Sequence, residues 1–472
     1  MICSIGVTSS DYVVLGGGVA GLTIGREIAR AGRSVIVVER GATVGGLART
    51  FRRDGYSFDL GGHRFHSNNP DVVGWLKTLM GDDLLRVDRR SRIHLSGRFI
   101  DYPLRLTQAT RAFGAVNAVR GGLSYLGAAV TNHRQQAVTF EDWVTRRFGR
   151  VLYEIYFKPY TEKVWGLRCD QLSADWAAQR ISVPNLADTV RGAMFPPKNP
   201  APTAIRQFYY PRLGYGTISD RLADAIAADR QDVWTSTSLA SLRFRGAEAE
   251  VEVRDAAGKV RVVRCGHVIS TIPLDTLLGA MSREPGIAEV AADARLAYRG
   301  LVLVYLGVAK AQLSPDSWTY FPSPELLFGR THEPKNWSAA MVPGPDVTSL
   351  ALEIFSSPGE PAWESPDADL VERAVGELIE LGWLRRGDVT RSWVLRAPNA
   401  YPVQDIGYRD RLARVRTALN RFPQLRLVGR TGAFSYMNVD GVVEDCFRLA
   451  AELDLNGRGG VRPLMADTAR WA

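Results

Sequence analysis

The stretch DYVVLGGGVAGLTIGREIARAGRSVIVVER, residues 11–40, constrains this chain more than any other part of it. DYVVL reads as a short buried strand. Gly16, Gly18 and Gly21 follow in G-x-G-x-x-G spacing and open a helical pattern with Leu22, Ile24, Ile28 and Ala29 on its apolar side. Gly32 ends that helix, SVIVV gives a second strand, and Glu39 closes it 18 residues past Gly21. The glycine spacing alone is weak evidence, but strand, turn, helix, strand and terminal acid together make a dinucleotide-binding βαβ unit. Gly16 permits the tight turn, Gly18 lets backbone approach a pyrophosphate, and Gly21 lets the helix pack against the sheet. Val19 and Ala20 begin the helix, whose free N–H groups and positive dipole end favour phosphates. Glu39 suits ribose hydroxyls, with Arg40 beside it, and its negative charge argues against a 2′-phosphate at this site.

Composition adds bounds rather than identity. The 472 residues are 46% hydrophobic and 23% charged, enough for two or three domains with sizeable cores. The net charge of +9 comes from 52 arginines and only seven lysines and is spread along the chain, so nucleic-acid binding is not expected. An anionic small-molecule substrate fits that charge. Cys3, Cys169, Cys265 and Cys446 are widely spaced, which suggests no disulfide framework and a reducing, cytoplasmic home. MICSIGVTSS lacks the pattern of a signal peptide, and no window of 18 apolar residues predicts a membrane span.

Beyond residue 67 the pattern turns helical. NPDVVGWLKTLM starts at an N-cap-like Asn69-Pro70, and further helical stretches run through about 105–130, 139–160 and 171–180. GTISDRLADAIAA is another helix. Then come the strands SLASLRFR, AEVEVRD, KVRVVRC and HVISTIP, with VEVRDAAGKVRVV as a hairpin, and later LVLVYLGVA and TSLALEIFSS. LRLVG reads as a late strand and DGVVEDCFRLAAEL as a closing helix. The expected architecture is α/β. A discontinuous Rossmann-type domain is built from 8–67, 205–275 and 420–456, with a helical domain inserted at 68–200, an antiparallel sheet domain at 276–419 and a tail at 457–472.

Several motifs resemble those of the flavin enzymes that include UDP-galactopyranose mutases, amine oxidases and protoporphyrinogen oxidases. GATVGGLART, with Gly45, Gly46, Leu47 and Arg49, resembles their second nucleotide-contact loop and implies FAD. YFKPYTEKVWG, residues 156–166, is similar to the mutases' GYTxKQWG signature, with Tyr160, Lys163, Trp165 and Gly166 in register. DLGGHRFH resembles their flavin-side histidine loop, which implies contacts from Gly61, Gly62 and His63. LSADWAAQRISVPNL resembles the segment ending in a diphosphate-binding arginine, here Arg180, and LAYRGLVLVYL the one carrying a second, here Arg299. GRTGAFSYMNVDGVV resembles the closing flavin segment. It brings Gly429, Arg430, Asn438, Val439, Asp440 and Val442 to the cofactor, with Leu239 as a further contact, and Tyr436 to the reaction. Tyr160, Trp165 and Tyr401 are implied at the substrate. The family pattern is broken at Ser182 and Pro184, where a second arginine is missing, and at Asn438, where an acid is usual. The segment 318–341 resembles no piece of the well-known mutases; its Tyr320 and Asn336 are candidate substrate contacts.

The resemblance implies a flavin-dependent mutase that interconverts pyranose and furanose forms of a nucleoside-diphosphate hexose. The reaction would run through an adduct between reduced flavin N5 and the sugar, with no net redox change. His63, Arg180, Arg299 and Tyr436 are its candidate catalytic residues, because arginine forks hold and stabilise a departing diphosphate. The active flavin would be reduced, with NAD(P)H an option as external reductant. The alternative is a true FAD oxidoreductase that removes hydride from its substrate. His63 and His66, three positions apart in FDLGGHRFHS, could suggest a metal or an acid/base pair. A metal needs more ligands than the sequence gathers there, and the resemblance favours His63 beside the flavin, with His66 structural. The oligomeric state is open, a homodimer being one option.

Overall fold

The computed structural model describes residues 6–102, 106–130, 136–181 and 206–455. Two large sheets organise it. In the first, the order is Thr237–Arg245, Glu248–Asp255, Val260–Ser270, Gly6–Leu15, Val35–Val38, Asp232–Trp234, with Leu425–Leu427 also beside Val260–Ser270. Gly6–Leu15 pairs in parallel with Val260–Ser270 and Val35–Val38, so its end delivers the glycine turn to the carboxyl edge of a parallel sheet. The Val35–Val38 strand is buried throughout, as a strand covered by helices on both faces must be. Helices Val19–Arg30, Pro70–Met80, Thr217–Ala228 and Val439–Glu452 cover one face. Leu274–Ala280, Ile287–Ala294 and Tyr408–Leu419 cover the other. The result is a doubly wound α/β layer arrangement.

The second sheet runs Val389–Pro402, Tyr298–Val308, Thr348–Ile354, Arg330–His332, Trp318–Tyr320, Ser91–Leu95, Arg98–Tyr102. It corrects the sequence reading in two ways. Ser91–Leu95 and Arg98–Tyr102 come from the stretch expected to be helical, as does Leu84–Asp88, which pairs with Gln207–Pro211. The sheet is also mixed rather than antiparallel, because Trp318–Tyr320 joins Ser91–Leu95 in parallel. Residues 287–294 and 408–419 fall in the range expected for the sheet domain, but form the helices Ile287–Ala294 and Tyr408–Leu419, which pack on the first sheet. The helix Asp367–Glu380 covers the outer face of the second sheet through Leu370, Ala374 and Leu378.

The inserted helices start where their caps dictate. Asn69 accepts the Asp71 amide at 3.0 Å with Pro70 at the first helical position. Thr139 and Asp142 form a capping box before Phe140–Phe148. Pro159 lacks a backbone donor, and the turn before it, Tyr153–Phe157, is wound as a π-helix leading into Lys158–Trp165. The sequence-predicted tail, 457–472, lies outside the described residues.

Candidate functional site

The glycine turn is built by contacts that only glycine allows. Gly16 has φ +102°, and a Cβ there would lie 2.4 Å from Thr271 Oγ1; one on Gly21 would lie 1.8 Å from the Gly16 carbonyl oxygen. Gly18 caps Val19–Arg30 without a side-chain partner, so the first amides of that helix are open to a ligand. The Gly45 amide donates to the Gly17 carbonyl at 2.8 Å, which draws the Gly45–Gly46 loop over the turn. Gly46 then lies so close to Gly18 that a Cβ would meet its Cα at 3.3 Å. Two bare backbones thus flank a helix N-terminus, a cradle that fits a pyrophosphate. Glu39 ends Val35–Val38, and its carboxylate accepts the Gly17 amide at 2.7 Å and the Gly41 amide at 2.6 Å. Arg40 beside it is exposed. Leu239 lies two residues along its strand from Thr237, whose amide donates to the Glu39 carbonyl, so it borders the same end of the sheet.

The chain's other end completes the cradle. Gly429, at φ +82°, packs so tightly that a Cβ would come within 2.6 Å of Ala20 Cβ, and its amide donates to Asp445 at 3.1 Å. Asn438 caps the closing helix without using its side chain, followed by Val439, Asp440 and the buried Val442. Burial raises the Asp440 carboxyl to about 6, at a second helix N-terminus beside the first.

His63 stands next to these elements. Its Nε2 lies 2.9 Å from the Leu47 carbonyl and 3.2 Å from that of Leu60, so Nε2 carries the hydrogen and donates. The ring stacks on Tyr215, with centroids 5.0 Å apart. Burial pushes its pKa down, although Asp59 pulls the other way. His63 is therefore a neutral imidazole near pH 7, with Nδ1 as an acceptor. Its loop is fixed from beneath. Asp59 accepts from Thr50 at 2.6 Å and Tyr210 at 2.7 Å, and the Arg49 carbonyl accepts the Leu60 amide. Gly61 takes φ +98°. The need for glycine at position 62 differs from the sequence reading. A Cβ there would lie 2.2 Å from Trp318 Nε1, so Gly62 makes room for an indole of the second sheet. His66 is partly buried, and burial lowers its pKa as well.

The sequence reading missed a buried ion pair under this loop. Glu353 accepts the Gly62 amide at 3.0 Å and pairs with Arg330 through Nε at 2.9 Å and through Nη2. Burial alone would raise Glu353, but Arg330 and His332 overcome it and hold the carboxyl at about 2. Arg330 acts on the charge of Tyr401 and has Tyr160 as a neighbour. Nη1 of Arg330 has no hydrogen-bond partner among the described residues. The local sequence LFGRTHEP gives no sign of this; the pair forms only because two neighbouring strands align Arg330 with Glu353.

An aromatic wall continues from there. Trp165 meets Trp176 edge-on at 4.5 Å and Tyr401 at 6.3 Å. Trp176 meets Tyr436 at 4.9 Å, and Tyr401 stacks on Tyr436 at 6.0 Å. The Arg430 guanidinium lies 5.5 Å from the Tyr401 ring and 5.3 Å from that of Tyr436, tied to the Met437 and Ala400 carbonyls. Tyr160 and Tyr320 meet edge-on at 5.9 Å. Trp165 itself is buried, so it supports the wall and presents little of its surface.

Two candidates are otherwise engaged, and the side chain of a third lies outside the described residues. Arg299, expected at a diphosphate, is 3% exposed. Its Nε donates to Val164, Nη1 to Ser357 and Glu360, and Nη2 to Phe355, so it clamps the end of Lys158–Trp165 to the second sheet. Asn336 donates to the Ser314 and Asp316 carbonyls at 2.7 and 2.9 Å and pins its own loop. Arg180 is the last residue of Ala174–Arg180, and its side chain lies outside the described residues. Lys163, in register with the signature, donates to the Phe321, Ser323 and Phe328 carbonyls, and burial lowers its pKa to about 8.

Comparison with known proteins agrees with this geometry. A crystal structure of reduced UDP-galactopyranose mutase superposes with a TM-score of 0.80 at 22% identity, over 95% of this chain and 96% of that one. Putrescine oxidase bound to putrescine gives 0.63 at 17% identity, over 95% and 99%. In sequence, the Klebsiella pneumoniae protein named "Probable UDP-galactopyranose mutase" is 25% identical over 171 residues, 36% of this chain and 44% of that protein. Phytoene desaturase of Fusarium fujikuroi is 29% identical over 148 residues, 30% of this chain and 26% of that protein. The match thus spans less than half the length of either relative. The profile described as flavin containing amine oxidoreductase matches residues 19–453. A cradle shaped for a pyrophosphate, closed by both ends of the chain, and a profile match over nearly all of its length show that this protein belongs to the flavin containing amine oxidoreductase family.

Proposed function

We propose that this flavin enzyme binds FAD and rearranges a nucleoside-diphosphate hexose between pyranose and furanose forms without net oxidation. The observation that carries the reading is the wall made by the signature helix with Tyr401, Tyr436 and Arg430. The helix brings Trp165 to Tyr401 and Tyr160 to Tyr320, and Arg430, beside Tyr401 and Tyr436, lies near enough to His63 to act on its charge. Reduced flavin supplies a nucleophilic nitrogen able to displace a nucleotide from the anomeric carbon.

The chain's own groups divide the remaining work. Gly18, Gly46 and the two helix N-termini hold the cofactor pyrophosphate, and Glu39 holds its ribose. Arg330 replaces Arg299 as the cation for the departing diphosphate, because Nη1 is left over from its ion pair with Glu353. Tyr160 and Tyr320 border the sugar or base, and Arg430 keeps Tyr401 and Tyr436 in place. His63 is neutral and donates through Nε2 to backbone, so it accepts at Nδ1 and gives no proton.

The test is anaerobic. The purified yellow protein is reduced with dithionite and offered UDP- and dTDP-hexopyranoses, with product ring form read by chromatography. Furanose formed by reduced but not oxidised protein supports the proposal. Hydride removal is the second reading, favoured by the similarity to a desaturase. Stoichiometric bleaching of oxidised flavin by a substrate, with peroxide formed on reoxidation, would select it.

A further inference from the structure

From Val116 onward, the helix Leu106–Val130 wears its large aliphatic residues outward. After a break at Gly114, where φ is +78°, it exposes Val116 (72%), Val119 (63%), Leu123 (65%), Leu126 (59%) and Val130 (85%). The intervals are three, four, three and four residues, the repeat of a coiled-coil seam. The opposite side faces the molecule with small and polar residues. Gly121 packs against Leu152, and Ser124 Oγ accepts the Val151 amide at 3.3 Å. An amphipathic helix of one chain normally turns its apolar stripe inward. This one is reversed, and an exposed contiguous stripe of this kind marks an interaction surface.

We infer that this stripe pairs with the same stripe on a second copy of the chain, antiparallel, with Leu123 on the two-fold axis. The seam is its own complement. Val116 and Val130 lie seven residues either side of Leu123, and Val119 and Leu126 lie four and three residues from it. Reversal of the helix therefore sets apolar residue against apolar residue, as a two-fold interface requires. Charge selects the same direction. Leu106–Val130 contains Arg111 and Arg120 and no acid. Parallel pairing would put the two Arg120 side chains at one level, whereas antiparallel pairing separates them by about 9 Å along the axis. Gly122 and Gly127 flank the seam, and a Cβ on either would meet nothing within 4 Å. Bare backbone there lets a second helix come close, whereas it offers a lipid surface no apolar side chain.

The seam is about 21 Å long, and one helix pair buries less than the ~1,600 Å² of a standard interface. The dimer is therefore expected to dissociate on dilution. The flavin-loaded full chain is examined by sedimentation velocity over a range of concentrations, beside Leu123→Glu. Dimer in the parent and monomer in the variant, with unchanged flavin content, supports the inference. Register is tested by single cysteines in a Cys3→Ser background. Oxidation should cross-link Leu123→Cys to its own copy, while Val130→Cys alone should stay uncross-linked. A parent that remains monomeric at the highest concentration, a dimer that Leu123→Glu leaves intact, or cross-linking of Val130→Cys instead of Leu123→Cys would overturn it. So would a monomer that pellets with anionic phospholipid vesicles and loses that property in Leu123→Glu, since the stripe would then be a membrane contact.

Discussion

Among single residues, Glu353 carries the largest structural burden. Its carboxylate is fully buried and holds both Arg330 and the Gly62 amide. Glu353→Gln leaves the Arg330 cation without a counter-charge, and breaking a buried pair in this way costs about 3 kcal/mol or more. Urea unfolding should show that loss, and Glu353→Gln with Arg330→Met should recover part of it. His63 gives a pH dependence. Its pKa is lowered from the ordinary 6.5 by burial, so as pH falls below 6.5 the unfolded chain takes up the proton first and stability declines. His66, His94 and His267 are shifted the same way. His63→Gln should therefore flatten, without abolishing, the fall in Tm between neutral pH and the onset of carboxylate protonation. At this scale the sequence was uneven. The contacts of the histidine loop, Gly62 with Trp318 and His63 with Tyr215, come from far along the chain, whereas the glycine turn was legible, since Gly21 meets Gly16 close by in sequence. Arg330 was not, because its partner lies 23 residues away on another strand. Arg299 sat in a recognisable motif, yet its side chain turns toward Val164 and Phe355, a direction no local pattern encodes.

Elements make a second test. The fingerprint helix can approach its strand only because Gly21 has no side chain. Gly21→Ala would drive a Cβ into the Gly16 carbonyl oxygen, and neither partner is a flexible side-chain end. The variant should purify colourless, with flavin absorbance lost and secondary structure by circular dichroism largely kept. Helix Val19–Arg30 and its two parallel strands were readable because their periods and caps are local. The short strands Leu84–Asp88, Ser91–Leu95 and Arg98–Tyr102 were not. They carry polar residues such as Arg86, Arg92 and His94, and two of them find partners at 207–211 and 318–320, far along the chain. Pairing of that kind is set by tertiary context more than by intrinsic propensity.

In the whole molecule, first and last pieces share one core. Val19–Arg30 and Val439–Glu452 pack together, the Cys446 thiol lies 3.3 Å from the Ala20 carbonyl, and Leu425–Leu427 pairs with Val260–Ser270. A chain ending at Pro423 should therefore bind no flavin even though its glycine fingerprint is intact, as absorbance of the purified protein would show. The broad layer plan was legible in the sequence; the helices Ile287–Ala294 and Tyr408–Leu419 were not, and an amphipathic stripe does not say which sheet it covers. The meeting of Ala20 with Gly429 also sets a timetable for synthesis. At roughly 5–20 residues per second, a ribosome needs about 20–80 s between making the two. Throughout that interval the nascent nucleotide cradle lacks one wall and leaves apolar surface uncovered. Cofactor loading is thus confined to the time after Val439–Glu452 has been made, and the half-built domain is a natural client for chaperones until that helix arrives.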